Sequence, residues 1–202
     1  MKLGILTYSL SSGGAERVVS YLLPYFVDLK IEVHLILMNS KINFEVPNDM
    51  PIHFLGHSES EENGLLKLMK VPFLAYKYGR RCKKLKLTHS FSLLSRPNYI
   101  NILSKRFGNH KYKIIISERA HPSLQYGYQD FKSIANKFLI RNLYSESEMV
   151  ICNSHGNALD LVKNFGLPKE KTCIIHNPID LQKIDSVPAL ENYFDKKFFN
   201  LI

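Results

Sequence analysis

Cysteine is scarce, and acid is missing from a long central stretch. Of 202 residues only Cys82, Cys152 and Cys173 are cysteine, an odd number with no C-x-x-C spacing. That pattern excludes a disulfide framework and a thiolate zinc site, and it suits reduced core thiols of a cytoplasmic protein. No apolar run reaches the roughly 18 residues needed to span a bilayer. The first run, Leu3 to Leu10, follows Lys2 but is short and lacks an A-x-A-like cleavage site. It leads straight into Gly13-Gly14-Ala15-Glu16-Arg17, so it reads as a buried strand and not as a signal peptide. His34, His53, His57, His110 and His155 have no metal-ligand spacing. There is no internal repeat and no low-complexity tract.

Between residues 64 and 117 there is no Asp or Glu, yet thirteen Lys and Arg fall there. The rest of the chain holds 14 basic and 18 acidic residues, so the total of +9 arises wholly in that stretch. Such segregation describes either a solvated basic face or a surface for an anionic partner: membrane, nucleic acid or phosphorylated substrate. Residues 64–87 mix Leu65, Leu66, Met69, Phe73 and Tyr76 with Lys67, Lys70, Lys77, Arg80, Arg81, Lys83 and Lys84. An interfacial helix has this composition, its apolar side among lipid headgroups and its cations on anionic lipid. A helix packed on a sheet, its lysines merely solvated, fits the same residues. Nucleic acid is the weakest of the partners, because no RNP-like, helix-turn-helix or zinc pattern accompanies the aromatics.

Short apolar runs alternate with longer amphipathic ones, which predicts β/α alternation and a Rossmann-like, doubly wound parallel sheet of about seven strands. The strands are expected at residues 3–8, 32–38, 52–55, 87–91, 113–117, 149–152 and 172–175. Residues 16–26 carry Val18, Val19, Leu22, Leu23 and Phe26 at helical spacing, with Pro24 expected to kink or end the helix near Leu23. Asn153-Ser154 is expected to cap a helix that Gly166 stops.

The first strand runs into Ser11-Ser12-Gly13-Gly14-Ala15-Glu16-Arg17. Adjacent glycines let a ligand approach the backbone, and a helix N-terminus offers unpaired N–H groups to a phosphate or diphosphate. A tight turn with no ligand fits the same residues. The dinucleotide fingerprint is absent: there is no G-x-G-x-x-G, and the second strand ends at Met38-Asn39 without an acid. No cofactor and no metal are expected.

Four segments in order then resemble the retaining glycosyltransferases of family 4, which have the two-domain GT-B architecture. They are Gly13-Gly14-Ala15-Glu16-Arg17-Val18-Val19, Ile114-Ile115-Ile116-Ser117-Glu118-Arg119, Val150-Ile151-Cys152-Asn153-Ser154 and Ile174-Ile175-His176-Asn177-Pro178-Ile179-Asp180. The resemblance implies an acceptor-binding N-terminal domain over residues 1–180, with a linker and the first strand of a second domain over residues 181–202. It implies transfer from a nucleotide-sugar donor to a lipid-linked or polysaccharide acceptor, with Gly13, Gly14 and Glu16 facing the donor diphosphate. Many members have a His where this chain has Arg119. Glu118, Arg119 and His121 are the candidate catalytic group, Arg119 orienting a phosphate or hydroxyl because Arg cannot act as a base. A local surface ion pair is the plain alternative for Glu118 and Arg119. Ser90, Phe91 and Asn98, expected in the loop after the fourth strand, are candidate acceptor contacts, though ordinary loop packing also fits. His89 is expected to be structural, and His176 to shape the linker turn. The family's basic pair and E-x7-E motif do not appear before Ile202. The expectation is therefore half of an enzyme, peripheral on the inner face of the cell membrane and inactive alone; a non-catalytic module docking on anionic membrane or a partner chain is the alternative.

Overall fold

The computed structural model describes residues 1–56, 64–108 and 111–179. Asp180 and the expected linker and strand at 181–202 lie outside the described residues, as do His57 and His110. Seven parallel strands form one sheet: β1 (Lys2–Thr7), β2 (Glu32–Leu37), β3 (Ile52–Phe54), β4 (His89–Leu93), β5 (Lys113–Glu118), β6 (Met149–Cys152) and β7 (Thr172–Ile174). Their spatial order is β3-β2-β1-β4-β5-β6-β7. The chain works outward from β1 to β3, crosses back, and continues from β4 on the other side. This makes the junction of β1 and β4 the switch point of the sheet, where open α/β folds form a crevice at the carboxyl edge.

Helices cover both faces, which explains why the strands are nearly continuous apolar runs. Alternate residues of β1 and β2 enter different cores. Leu3, Ile5, Leu35 and Leu37 pack with Val19 and Leu23 of α1 (Gly14–Asp28). Leu6 and Ile36 pack on the opposite face. That second core also receives α3 (Val71–Leu85), which follows the short α2 (Gly64–Met69), and α4 (Ser95–Gly108), which follows β4. After β5 and the short α5 (Pro122–Gln125), α6 (Phe131–Leu143) and α7 (His155–Phe165) complete it. Cys82 and Cys152 lie buried in this core, and burial pushes both thiols up to about 12.

Two expectations are corrected. Helix α1 does not end near Leu23; it runs through Pro24 to Asp28. Pro24 is exposed, so the carbonyl it leaves unpaired four residues earlier can bond to water. The fourth strand begins two residues late, at His89, because Lys86 adopts a left-handed cap (φ 54°) and Leu87 folds back so that its N–H bonds to Cys82 O.

Caps delimit α7 as expected. The Ser154 hydroxyl accepts from the Asn157 N–H at 3.2 Å, and Gly166 leaves the helix at φ 71° with nothing near a would-be Cβ. Because the space there is open, Gly166→Ala tests the backbone conformation alone. It should lower unfolding stability in urea by about 1 kcal/mol.

Candidate functional site

The carboxyl edge of the sheet gathers three backbone features: the glycine loop after β1, the start of α4 after β4, and the loop after β5. The glycine loop is braced from outside: Leu10 N–H donates to Lys41 O, and Asn43 Nδ2 donates to Ser11 O at 3.1 Å. Arg17 lies over the Phe44 ring, 5.9 Å from its centroid. Gly13 has φ 110°, a conformation for glycine, and a Cβ there would stand 2.7 Å from Glu16 Oε2. Glu16 is 8% exposed, its side chain is folded against Gly13, and burial pushes its carboxyl upward. It shapes the loop from beneath. Gly14 is different. It opens α1, it is exposed, and nothing lies within 4 Å of a would-be Cβ, so the fold itself does not require glycine there.

Glu118 ends β5 and is 1% exposed. Its carboxylate accepts from the Tyr144 hydroxyl, from Ser95 Oγ at 3.3 Å and from the Arg119 N–H at 2.9 Å. It makes no ion pair with Arg119. The side chain is buried among these donors, so Glu118 helps hold the loop in place. The loop backbone is fastened from α7 as well: Asn157 Nδ2 donates to Glu118 O at 2.7 Å and Asn153 Nδ2 to Arg119 O at 3.2 Å.

Arg119 is half-buried, which lowers its pKa, and it donates to Ser117 Oγ and to the Asn177 side chain. The segment leaving β7 is thereby tied back to the loop, and His176 Nδ1 lies 3.0 Å from Asn153 O. His121 is exposed, and its ring rests against Gly156 in the first turn of α7, 3.0 Å from where a Cβ would stand. Arg119 and His121 thus follow β5 at the carboxyl edge of the sheet.

Ser90, Phe91 and Asn98 are not in a loop. Ser90 and Phe91 belong to β4 and Asn98 to α4. Ser90 bonds to Tyr78 (2.6 Å) and Asn101 (2.7 Å); Asn98 bonds to Ser92, Ser117 O and Tyr144; Phe91 lies in the α1-side core. All three are buried, and it is their expected place in a loop that is corrected.

In the basic stretch, one side of α3 packs on the sheet and the other is exposed. Val71, Leu74, Ala75, Tyr78 and Cys82 bury one side of α3, while Phe73 and Tyr76 stand exposed on the other. Lys77 lies over Phe73 and Arg80 over Tyr76, and Phe107 of α4 meets Tyr76 edge-on. Tyr76, Lys77, Arg80, Arg81, Lys83, Lys84 and Phe107 line an open groove. Arg81 also reaches inward, its Nη1 3.4 Å from His53 Nδ1. Lys67 lies on α2, and Lys70 precedes α3. Among the described residues no helix is long and apolar enough to cross a membrane.

One residue escaped the sequence reading. Arg96, in the first turn of α4, is 6% exposed and stands over the Tyr8 ring at the end of β1. Nothing in its local sequence sets it apart from the other twelve cations of the acid-free stretch.

A seven-stranded parallel sheet covered by helices on both faces, with a glycine loop at its switch point, is a Rossmann-like fold. The profile described as Glycosyltransferase Family 4 matches residues 12–183, and the chain belongs to that family. It is 48% identical over 200 residues to the N-acetylgalactosamine-N,N'-diacetylbacillosaminyl-diphospho-undecaprenol 4-alpha-N-acetylgalactosaminyltransferase of Campylobacter jejuni, covering 99% of this chain and 54% of that protein. The chain thus spans about half the length of this curated relative. Among solved structures, the fold resembles Anabaena HepE in complex with UDP-glucose (TM-score 0.63, 14% identity, 90% of this chain and 45% of that one). It also resembles the lipopolysaccharide outer core galactosyltransferase WaaB (0.65, 13%, 89% and 46%) and the sucrose-phosphate synthase of Thermosynechococcus elongatus (0.69, 9%, 90% and 49%).

Two outcomes follow for Glu118. Burial holds its carboxyl above the ordinary 4.5, although its hydrogen bonds pull the other way. The stability this gives is present at low pH and is lost as pH rises through the folded-state pKa. Glu118→Gln should therefore gain on wild type as pH rises from about 4 to 7 in urea titrations; a constant difference would refute the raised carboxyl. Tyr144→Phe, which strips a donor from the buried carboxylate, should cost about 1–3 kcal/mol.

Proposed function

We propose that this chain is the acceptor-binding half of a retaining glycosyltransferase that moves a sugar from a nucleotide-sugar donor to a diphospholipid-linked glycan at the membrane surface. Gly14 carries the reading. A glycine that the fold does not need, at the N-terminus of a 15-residue helix and facing open space at the switch point, suits close approach of a ligand. The N–H groups of the loop and the positive end of α1 would stabilise negative charge building on the departing diphosphate. Arg119, fixed by Ser117 and Asn177, would orient a phosphate or hydroxyl from the opposite side of the crevice. The Campylobacter relative's name, a transferase acting on a diphospho-undecaprenol-linked saccharide, supports a lipid-linked acceptor here.

The outer side of α3 suits an anionic membrane. Phe73 and Tyr76 are exposed among Lys77, Arg80, Lys83 and Lys84, with no acid in the segment to repel headgroups. This face supports a peripheral protein on the inner face of the cell membrane. The nucleotide sugar would be bound by the second domain that the family architecture calls for.

The test joins this chain to the nucleotide-sugar half of the Campylobacter relative and measures transfer to a polyprenyl-diphosphate-linked saccharide. Gly14→Ala should keep or raise thermal stability, since alanine is the better helix former, and should lower kcat at least about 100-fold. Unchanged transfer in Gly14→Ala would sink the role given to the loop. A hybrid inactive with every donor would favour a non-catalytic module that docks on anionic membrane. In co-sedimentation with vesicles rich in phosphatidylglycerol, Lys77→Glu/Arg80→Glu should abolish binding that wild type shows at low salt. Equal sedimentation of the two would refute the membrane face.

A further inference from the structure

Arg96 is a buried cation without a counter-ion among the described residues. Its Nη1 donates to the Tyr8 hydroxyl at 3.3 Å, but its Nε and Nη2 are sealed from solvent and have no partner. Among the described residues no carboxylate stands within ion-pair distance of it. Glu118, the buried carboxylate that Ser95 of the same helix start helps to hold, is already satisfied by Ser95, Tyr144 and the Arg119 N–H. Folding an unpaired guanidinium into a protein is costly, and it persists where something outside the fold completes it.

The surroundings indicate what that is. Arg96 lies in the first turn of the 14-residue helix α4, where the helix end adds positive potential. Leu94, just before the helix, has no side-chain acceptor to cap it and is itself held at φ 75°, a strained setting for a residue with a Cβ. The helix start follows β4 as the glycine loop follows β1, and these neighbouring strands bound the switch-point crevice. Tyr8, which follows β1 at that same edge, is only partly buried and carries the guanidinium over its ring. Two N–H donors in a planar fork match two oxygens of a phosphoryl group.

We infer that Arg96, over Tyr8 and at the N-terminus of α4, is a binding residue for a phosphoryl group of a substrate diphosphate entering the crevice. The inference rests on the reading of this edge as a diphosphate-binding site, and it adds a second, independent anion position opposite the glycine loop. The phosphoryl group belongs either to the nucleotide or to the lipid-linked substrate; the chemistry is shared.

The test uses the 202-residue chain with inorganic pyrophosphate, UDP and farnesyl diphosphate as probes in calorimetric titration. Arg96→Met should weaken pyrophosphate binding about tenfold or more without lowering the unliganded Tm, because the unpaired charge is removed with its desolvation. Wild-type affinity in Arg96→Met, or no pyrophosphate binding by wild type, overturns the inference. So does a lowered Tm with binding intact, which marks a structural arginine. Should Arg96→Met not fold, the wild-type Nε–H resonance, assigned by its loss in Arg96→Lys, gives the answer. A saturable shift with pyrophosphate supports the site, and no shift overturns it. A pyrophosphate shift that UDP reproduces and farnesyl diphosphate does not assigns the donor, and the reverse assigns the acceptor. In the hybrid transferase, activity lost in Gly14→Ala but kept in Arg96→Met would leave the proposed function standing and this inference refuted.

Discussion

A carboxylate in a protein interior must be surrounded by donors, and much of this domain is arranged around one. Glu118 draws Tyr144 from the end of α6, Ser95 from the start of α4 and the amide of Arg119 to a single point below the crevice. From there a chain of buried hydrogen bonds runs through Asn98, Ser92, Asn101 and Ser90 to Tyr78 of α3. Each link is satisfied by the next, which is the condition under which polar groups rigidify a core and do not weaken it. Three helices are thereby set in register against β4 and β5. The loop holding Arg119 and His121, and the helix start holding Arg96, share that foundation.

The architecture was largely legible in the sequence because both determinants are local. Continuous apolar runs mark strands covered on two faces, and Ser154 and Gly166 mark helix ends by their own chemistry. Pro24 misled because its effect depends on which side of α1 meets water, a property of packing. The start of β4 misled because Leu87 is as apolar as a strand residue, yet the turn at Lys86 sends it back onto Cys82.

The site was less legible. Gly13 and Gly14 stand side by side, but only the geometry separates them: one is required by the backbone and by Glu16, while the other is free of any such demand. Glu118 beside Arg119 looks in sequence like an ion pair. The donors that capture its carboxylate, Ser95 and Tyr144, lie more than twenty residues away on either side. Ser90 and Asn98 were likewise placed by chain position, whereas their partners come from α3, α4 and α6. Arg96 had no local signature at all. What distinguishes it is the absence of a partner, and only the packed structure exposes that.

The buried thiols carry a practical consequence. With Cys82 and Cys152 enclosed and their thiols raised to about 12, neither offers thiolate to an alkylating reagent at neutral pH. Cys173, on the edge strand β7, is partly accessible and forms no disulfide. It stands four residues before Asn177, on the tether that Arg119 holds to the crevice. The natural chain thus comes with one addressable labelling position, set where a fluorophore or spin label would report movement of that tether without any engineered cysteine.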